Sequence, residues 1–295
     1  MAIPFKSISV DGTLRRHPRT IAVLAGAALA LGGYAWQIET RWLRITRLTL
    51  TIPGLPAAFA GYRIVHLSDI HLGVRMNEAR LPVVIAAANR ERPDLIVVTG
   101  DFVTGGRDSL QKGSALLAGL RAPDGVWGVL GNHDYTVGVG RVTAMLDRAG
   151  IGLLCNAAHI LQRGSATLVL VGVDDMIHGA PNLGAALRDV PPDRQVILLS
   201  HAPDFAARAA ADPRVVLQLS GHSHGGQVRL PGMRPLVLPR GGKAYPQGLY
   251  TVGGLQLFVT VGTGTGWLAV RFGCRPELAV LTLQPLSAPP ETPVR

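Results

Sequence analysis

Carboxylates, imidazoles and one amide recur directly after short apolar runs, and that recurrence is the strongest chemical signal in the chain. "YRIVHLSDIH" ends in Asp69 and His71, "DLIVVTGD" in Asp101, and "GVWGVLGNHD" in Asn132, His133 and Asp134. "QVILLSH" ends in His201, and "VVLQLSGHSHGGQV" carries His222 and His224 among glycines. Taken singly, an Asp or Asn after a strand is a turn residue or a helix cap, and a single His is a structural residue. Five repetitions on separate runs point instead to a metal site. A donor set without thiolate suits manganese, iron, zinc or cobalt, with manganese favoured, and differs from a structural zinc site or an all-oxygen calcium cage. Asp69, His71, Asp101, Asn132, His201, His222 and His224 are too many for one ion, whereas two ions sharing a carboxylate use them all.

Residues so far apart in sequence meet only if the runs before them share an edge. From about residue 44 the chain alternates β-rich apolar runs with helical patterns, which is the signature of an α/β domain. The expected strands are "YRIVHL", "DLIVVTG", "GVWGVLG", "ATLVLVGV", "QVILLS", "VVLQLS", "LQLFVTV" and "ELAVLTL". Leu81, Val84, Ile85 and Ala88, and again Val142, Met145, Leu146 and Ala149, have helical spacing and predict faces packed on a sheet. Strand C-termini in such a domain face a common crevice. His17, His66, His159 and His178 fall outside the pattern and read as ordinary, and residues 231 to 248, rich in Gly and Pro, read as a long excursion. The division is a basic segment with an apolar helix at 1–43, a catalytic domain at 44–285 and a mobile tail at 286–295.

"IAVLAGAALALGGYAWQI", Ile21 to Ile38, has no charge and is flanked by Arg15, Arg16 and Arg19 before and Arg41, Arg44 and Arg47 after. It reads first as an uncleaved, single-pass anchor in a bacterial inner membrane. The rivals are a cleaved export signal, suggested by Arg15-Arg16 and Ala28-Leu29-Ala30, and a buried core helix. Four basic residues precede the span and three follow it, which favours an inside N-terminus and a catalytic domain outside the cytoplasm.

The formal net charge of +10 invites an anionic partner, but seven basic residues against two acidic ones in positions 1–47 account for half of it. No basic stripe interleaved with aromatics is present, so nucleic acid is not the expected partner. With 47% hydrophobic and 16% charged residues the chain is globular rather than disordered. Cys155 and Cys274 exclude a disulfide scaffold and a zinc-finger pattern; one bridge or two free thiols remain, and free buried thiols are the first reading.

In order, D-x-H (Asp69, His71), GD (Gly100, Asp101), GNHD (Gly131 to Asp134), the single His201 and GHxH (Gly221 to His224) resemble the calcineurin-like metallophosphoesterase superfamily over about residues 60 to 285. "GHSHGGQVRLP" and "VRFGCRPELAVLTL" resemble its membrane-associated branch, which includes phosphodiesterases related to UDP-2,3-diacylglucosamine hydrolases of lipid A biosynthesis. The resemblance implies a four-layer α/β/β/α sandwich with a metal pair at the strand ends. It assigns Asp69, His71 and His224 to one ion, Asn132, His201 and His222 to the other, and Asp101 to both. Where the family commonly has a further acidic residue three positions after the GD aspartate, "GDFVT" has Thr104, which alters the surroundings of the ligands and not the ligands.

The expected activity is hydrolysis of a phosphodiester or pyrophosphate bond by metal-activated hydroxide, in a lipid-linked substrate such as UDP-2,3-diacylglucosamine. His133 is the expected proton donor to the leaving group, with Asp134 orienting its ring. Arg234, Arg240, Lys243, Arg271 and Arg275 read as a solvated face rather than as phosphate ligands. The alternatives are a phosphatase or nucleotide phosphodiesterase on soluble substrates, and a catalytically silent metal-binding membrane scaffold. UDP-linked lipid precursors are made on the cytoplasmic face, so the favoured orientation and the most specific substrate pull against each other.

Overall fold

The computed structural model describes residues 18–286 apart from 231, 232, 236 and 267. Arg15-Arg16, His17 and the tail from 287 lie outside the described residues. The chain opens with helix α1 (Pro18–Gly33), prolonged by tighter and wider turns into one continuous 23-residue helix, Arg19–Arg41, that is long and apolar enough to cross a membrane. It is almost wholly exposed, which removes the buried-core reading.

Strands β1 (Arg44–Ile52), β2 (Arg63–Leu67), β3 (Leu95–Thr99), β4 (Val126–Val129), β5 (Ile151–Leu153) and β12 (Glu277–Pro285) form one sheet, in the order β1-β12-β2-β3-β4-β5. The second sheet, in the order β10-β11-β9-β8-β7-β6, contains β6 (Ala157–Arg163), β7 (Ala166–Gly172), β8 (Val196–Leu199), β9 (Val215–Ser220), β10 (Gly248–Val252) and β11 (Leu255–Val259). Helices α2 (Arg75–Arg90), α3 (Arg107–Leu117), α4 (Asn132–Val137) and α5 (Val139–Arg148) belong to the first sheet. The short helices α6 (Leu183–Ala186) and α7 (Ala206–Ala209) belong to the second.

Alternation along the strands builds the layers. Ile64, Leu95 and Val97 of the first sheet pack against Leu168, Leu170, Ile197 and Leu199 of the second in a central core. Their neighbours Val65, Leu67, Ile96 and Val98 face the other way, onto Leu81, Val84, Ile85 and Ala88 of α2 and onto Val142, Met145 and Leu146 of α5. Val169, Val171, Val196 and Leu198 meet Ala186, Ala206 and Ala209 in a third cluster. The result is the expected α/β/β/α stack. Because both faces of the central strands are covered, they read as unbroken apolar runs, each Leu or Ile contributing about 2 kcal/mol on burial.

Among the described residues both cysteines are free; Cys274 is buried as expected, but Cys155 is exposed. Glu277 ties the sheets together. One oxygen, Oε1, accepts from Arg44 and Thr46 of β1, while Oε2 accepts from Thr260 and the amide of Val261 just beyond β11. The segment after β11 then crosses to the first sheet, where Thr263 N donates to Ser68 O and Gly264 N to Asp69 O.

Candidate metal centre

Parallel neighbours β2, β3 and β4 deliver Asp69 and His71, Asp101, and Asn132 and His133 to one edge. Parallel neighbours β8 and β9 of the other sheet deliver His201, and His222 and His224, to the same place. Five of the eight non-glycine residues with positive φ among the described residues are Asp69, His71, Asp101, His222 and His224. Left-handed backbone there turns the chain sharply after each strand and aims the side chain back across the edge. Each such residue costs up to about 1–3 kcal/mol, a strain that structures retain chiefly at functional positions. Gly131 and Gly221 permit the close approach: a Cβ on Gly131 would collide with the Asp101 carboxylate, and one on Gly221 with Ser68 and Asp69.

Three overlapping groups of donors result, one of them, His71, Asp101 and His133, lying between the other two. Asp69, His71 and His224 converge on one side and Asp101, His201 and His222 on the other. His224 Nε2 lies 3.0 Å from His71 Nε2 and 3.3 Å from Asp69 Oδ1. His201 Nε2 lies 3.1 Å from His222 Nδ1 and 3.3 Å from Asn132 Oδ1. One atom serves both sides: Asp101 Oδ2 stands 3.7 Å from His71 Nε2 and 3.3 Å from His201 Nε2.

The donors fit a pair of cations. His201 Nδ1 donates to Thr99 O and His222 Nε2 to Arg240 O, so in neutral rings both nitrogens that face each other carry lone pairs. Asp69 Oδ1 is buried and accepts no hydrogen bond. Facing lone pairs and an orphaned carboxylate oxygen are what positive charge would satisfy. Burial pushes the His224 imidazole down to about 3 and also lowers His71 and His222, which keeps them neutral and able to ligate. Burial would raise Asp69, but the imidazoles of His224 and His201 outweigh it and hold the carboxyl below its usual range. Burial would lower His201, but Asp101 outweighs it and raises the ring to about 10. A cation beside Asp101 would take the place of that proton.

Asp134 departs from its expected role. Its Oδ1 accepts from Val103 N and its Oδ2 from Gly131 N, so the carboxylate closes the turn at the start of α4 and does not orient the His133 ring. The buried carboxylate is taken up by the helix N-cap amide of Gly131 and by the amide of Val103 in the segment after β3. His133 is steered instead through its backbone, whose amide donates to Asp101 Oδ1 at 2.8 Å. Its partly exposed ring meets that of His71 edge-on, with centroids 4.9 Å apart.

Arg271 also departs from expectation, being fully buried rather than solvated. It donates to the carbonyls of Val261, Gly264 and Cys274, and its Nη2 stands 3.5 Å from His224 Nδ1. Asp175 also follows β7 in the same strand-end pattern, though it is not among the expected ligands. It is buried, accepts from the amides of Ile177 and His178, and its charge favours protonated His201.

Thr104 fills the position of the family's extra acid, with its hydroxyl hydrogen-bonded to His71 Nδ1. A hydroxyl thus orients this ring. Thr104→Val should weaken divalent-metal affinity by about 10- to 100-fold, as loss of an outer partner does, read by isothermal titration of the apo protein. Unaltered affinity would show that the hydroxyl does not support the ligand.

A model of the calcineurin-like phosphoesterase family matches residues 62–226. The chain is 35% identical over 270 residues to the uncharacterized metallophosphoesterase YkuE of Bacillus subtilis, covering 89% of this chain and 94% of that protein. It is 29% identical to the phosphodiesterase YaeI of Escherichia coli, over 92% of this chain and 97% of that one. It is also 29% identical to the UDP-2,3-diacylglucosamine pyrophosphatase LpxG of Chlamydia trachomatis, over 89% and 95% respectively.

Proposed function

Because this chain belongs to the calcineurin-like phosphoesterase family, whose members are metal-dependent phosphoester hydrolases, we propose that it cleaves a phosphodiester or pyrophosphate bond with two divalent ions. Asp69, His71 and His224 would hold one ion and Asn132, His201 and His222 the other, with Asp101 contributing to both. The observation that carries this reading is the single oxygen, Asp101 Oδ2, turned towards both donor groups. When bound, the ions supply Lewis acidity, polarising a phosphoryl oxygen and lowering the pKa of a water at the site. Manganese is the favoured ion on donor type.

The chain's own residues do the remainder. Asp69 and Asp101 bring negative charge that offsets the cations, and the neutral imidazoles complete each set without adding charge. His133, on the rim and outside both sets, delivers a proton to the departing oxygen. Its backbone N–H, donating a hydrogen bond to Asp101 Oδ1, ties that donor to the metal centre, and Asp134 keeps the turn in shape. The substrate is a lipid-linked phosphoester, a reading supported by likeness to LpxG and by the exposed apolar helix. That helix anchors the enzyme in an inner membrane with the catalytic domain outside the cytoplasm, which protease treatment of intact spheroplasts reads directly.

Stripping the purified full chain with a chelator should abolish hydrolysis of bis(p-nitrophenyl) phosphate, and added Mn²⁺ should restore it. Absence of hydrolysis with Mn²⁺ supplied would overturn the enzymatic reading and leave a metal-binding scaffold.

A further inference from the structure

The apolar helix is not a free tether. Its last turns are built into the rim of the metal centre: Arg271 N donates to Ala35 O at 3.0 Å, Cys274 N donates to buried Glu39 Oε1 at 2.7 Å, and Tyr34 meets Phe272 edge-on. Phe272 in turn bridges to Val228, and Gln227 binds both Leu268 O and Gly266 N. A Cβ on Gly266 would stand 3.9 Å from His224 Nε2, so these loops border the donors themselves.

Helix length sets their depth. Ala35 lies about 24 Å along the helix from Arg19, which is about 6 Å short of the far side of a hydrocarbon layer about 30 Å thick. A loop hydrogen-bonded to the Ala35 carbonyl is therefore carried to the membrane boundary or slightly below it. The side chains around that loop suit such a place. Val228, Leu230, Met233, Val237 and Leu268 are large, apolar and exposed, with Val237 76% accessible. Trp36 and Trp42 are half exposed at the helix end, and the Arg275 guanidinium stacks 4.0 Å over the Trp42 ring. Arg41 at the helix end, and Arg234, Arg240 and Lys243 in and after the 228–237 segment, are exposed and positively charged. Apolar tips with an aromatic belt and basic neighbours are the composition of an interfacial surface on anionic lipid.

We propose that the rim formed by residues 228–230, 233–235, 237 and 268–275 is a second membrane contact, which seats the mouth of the metal centre in the headgroup layer of the bilayer that holds the helix. The partner is an anionic phospholipid surface, and the phosphoester is taken at headgroup depth rather than from bulk water. This rests on the hydrolase reading only for its consequence, since the seating itself is independent of turnover.

The test uses the full chain, carrying Cys155→Ser, in vesicles of phosphatidylcholine and phosphatidylglycerol. Nitroxides are attached singly at Met233→Cys, Val237→Cys and Leu268→Cys, at Leu24→Cys within the helix, and at Ile160→Cys on distant β6, where the side chain is 59% exposed. The three rim labels should lose collisions with an aqueous nickel chelate and gain them with oxygen, as Leu24 does, while Ile160 stays aqueous. Rim labels as accessible to the chelate as Ile160, with Leu24 immersed, would overturn the seating. An aqueous Leu24 would overturn it too. Hydrolysis of bis(p-nitrophenyl) phosphate by the same samples reports the enzymatic reading separately.

Discussion

Asp101→Ala is expected to yield a folded chain that purifies with neither metal ion and turns over at background. The carboxylate faces His71 and His201 through one oxygen and receives the His133 amide on the other, so one substitution opens both donor groups and frees the rim histidine. Metal ions contribute several kcal/mol of transition-state stabilisation, and at about 1.36 kcal/mol per decade their loss lowers turnover by about 10³- to 10⁴-fold. Elemental analysis of the purified variant beside the parent checks the first part, and initial rates on a phosphodiester the second. Two ions per chain in the variant would remove Asp101 from its shared position.

His133→Ala should separate chemistry from metal binding. Both ions should remain, because Asp69, His71 and His224 on one side and Asp101, His201 and His222 on the other converge without this ring, while turnover falls by about 10²- to 10⁴-fold, the range for loss of a general acid. The size of the loss should depend on the leaving group. An aryl diester, which departs as a stabilised phenolate, needs little protonation and should suffer least, whereas an alkyl diester should suffer most. Equal losses on both would mean that His133 positions substrate and does not deliver a proton.

How much was legible follows from burial. All eight expected strands are present, and each that precedes a ligand is central or nearly so and largely apolar on both faces. The strands that escaped reading are β1, β5, β6 and β10, which are the four edges of the two sheets. Edge strands bury fewer side chains: β6 alternates exposed and half-buried residues over most of its length, and β5 is only three residues long. With no apolar run to mark them, they become strands only when a neighbour pairs with them. The Glu277 clamp was hidden for a similar reason, since its partners Arg44, Thr46, Thr260 and Val261 come from segments with no local link to it.

The candidate donors and their order along the chain are legible in the sequence alone. Each donor is announced by the strand directly before it, and a strand with its terminal turn is local information. The three-dimensional fold decided how those donors are used. His201 offers Nε2 because the carbonyl of Thr99 takes its Nδ1, and His222 offers Nδ1 because the carbonyl of Arg240 takes its Nε2. Asp134 serves the turn rather than His133 because the amides of Gly131 and Val103 reach it first, and Arg271 is buried because the crossing segment lays its carbonyls around the guanidinium. The docking of the apolar helix on the rim depends on Arg271 and Cys274, more than 200 residues downstream. Hydrogen-bond partners brought from distant segments leave no periodicity in a sequence, so only the folded chain could specify them.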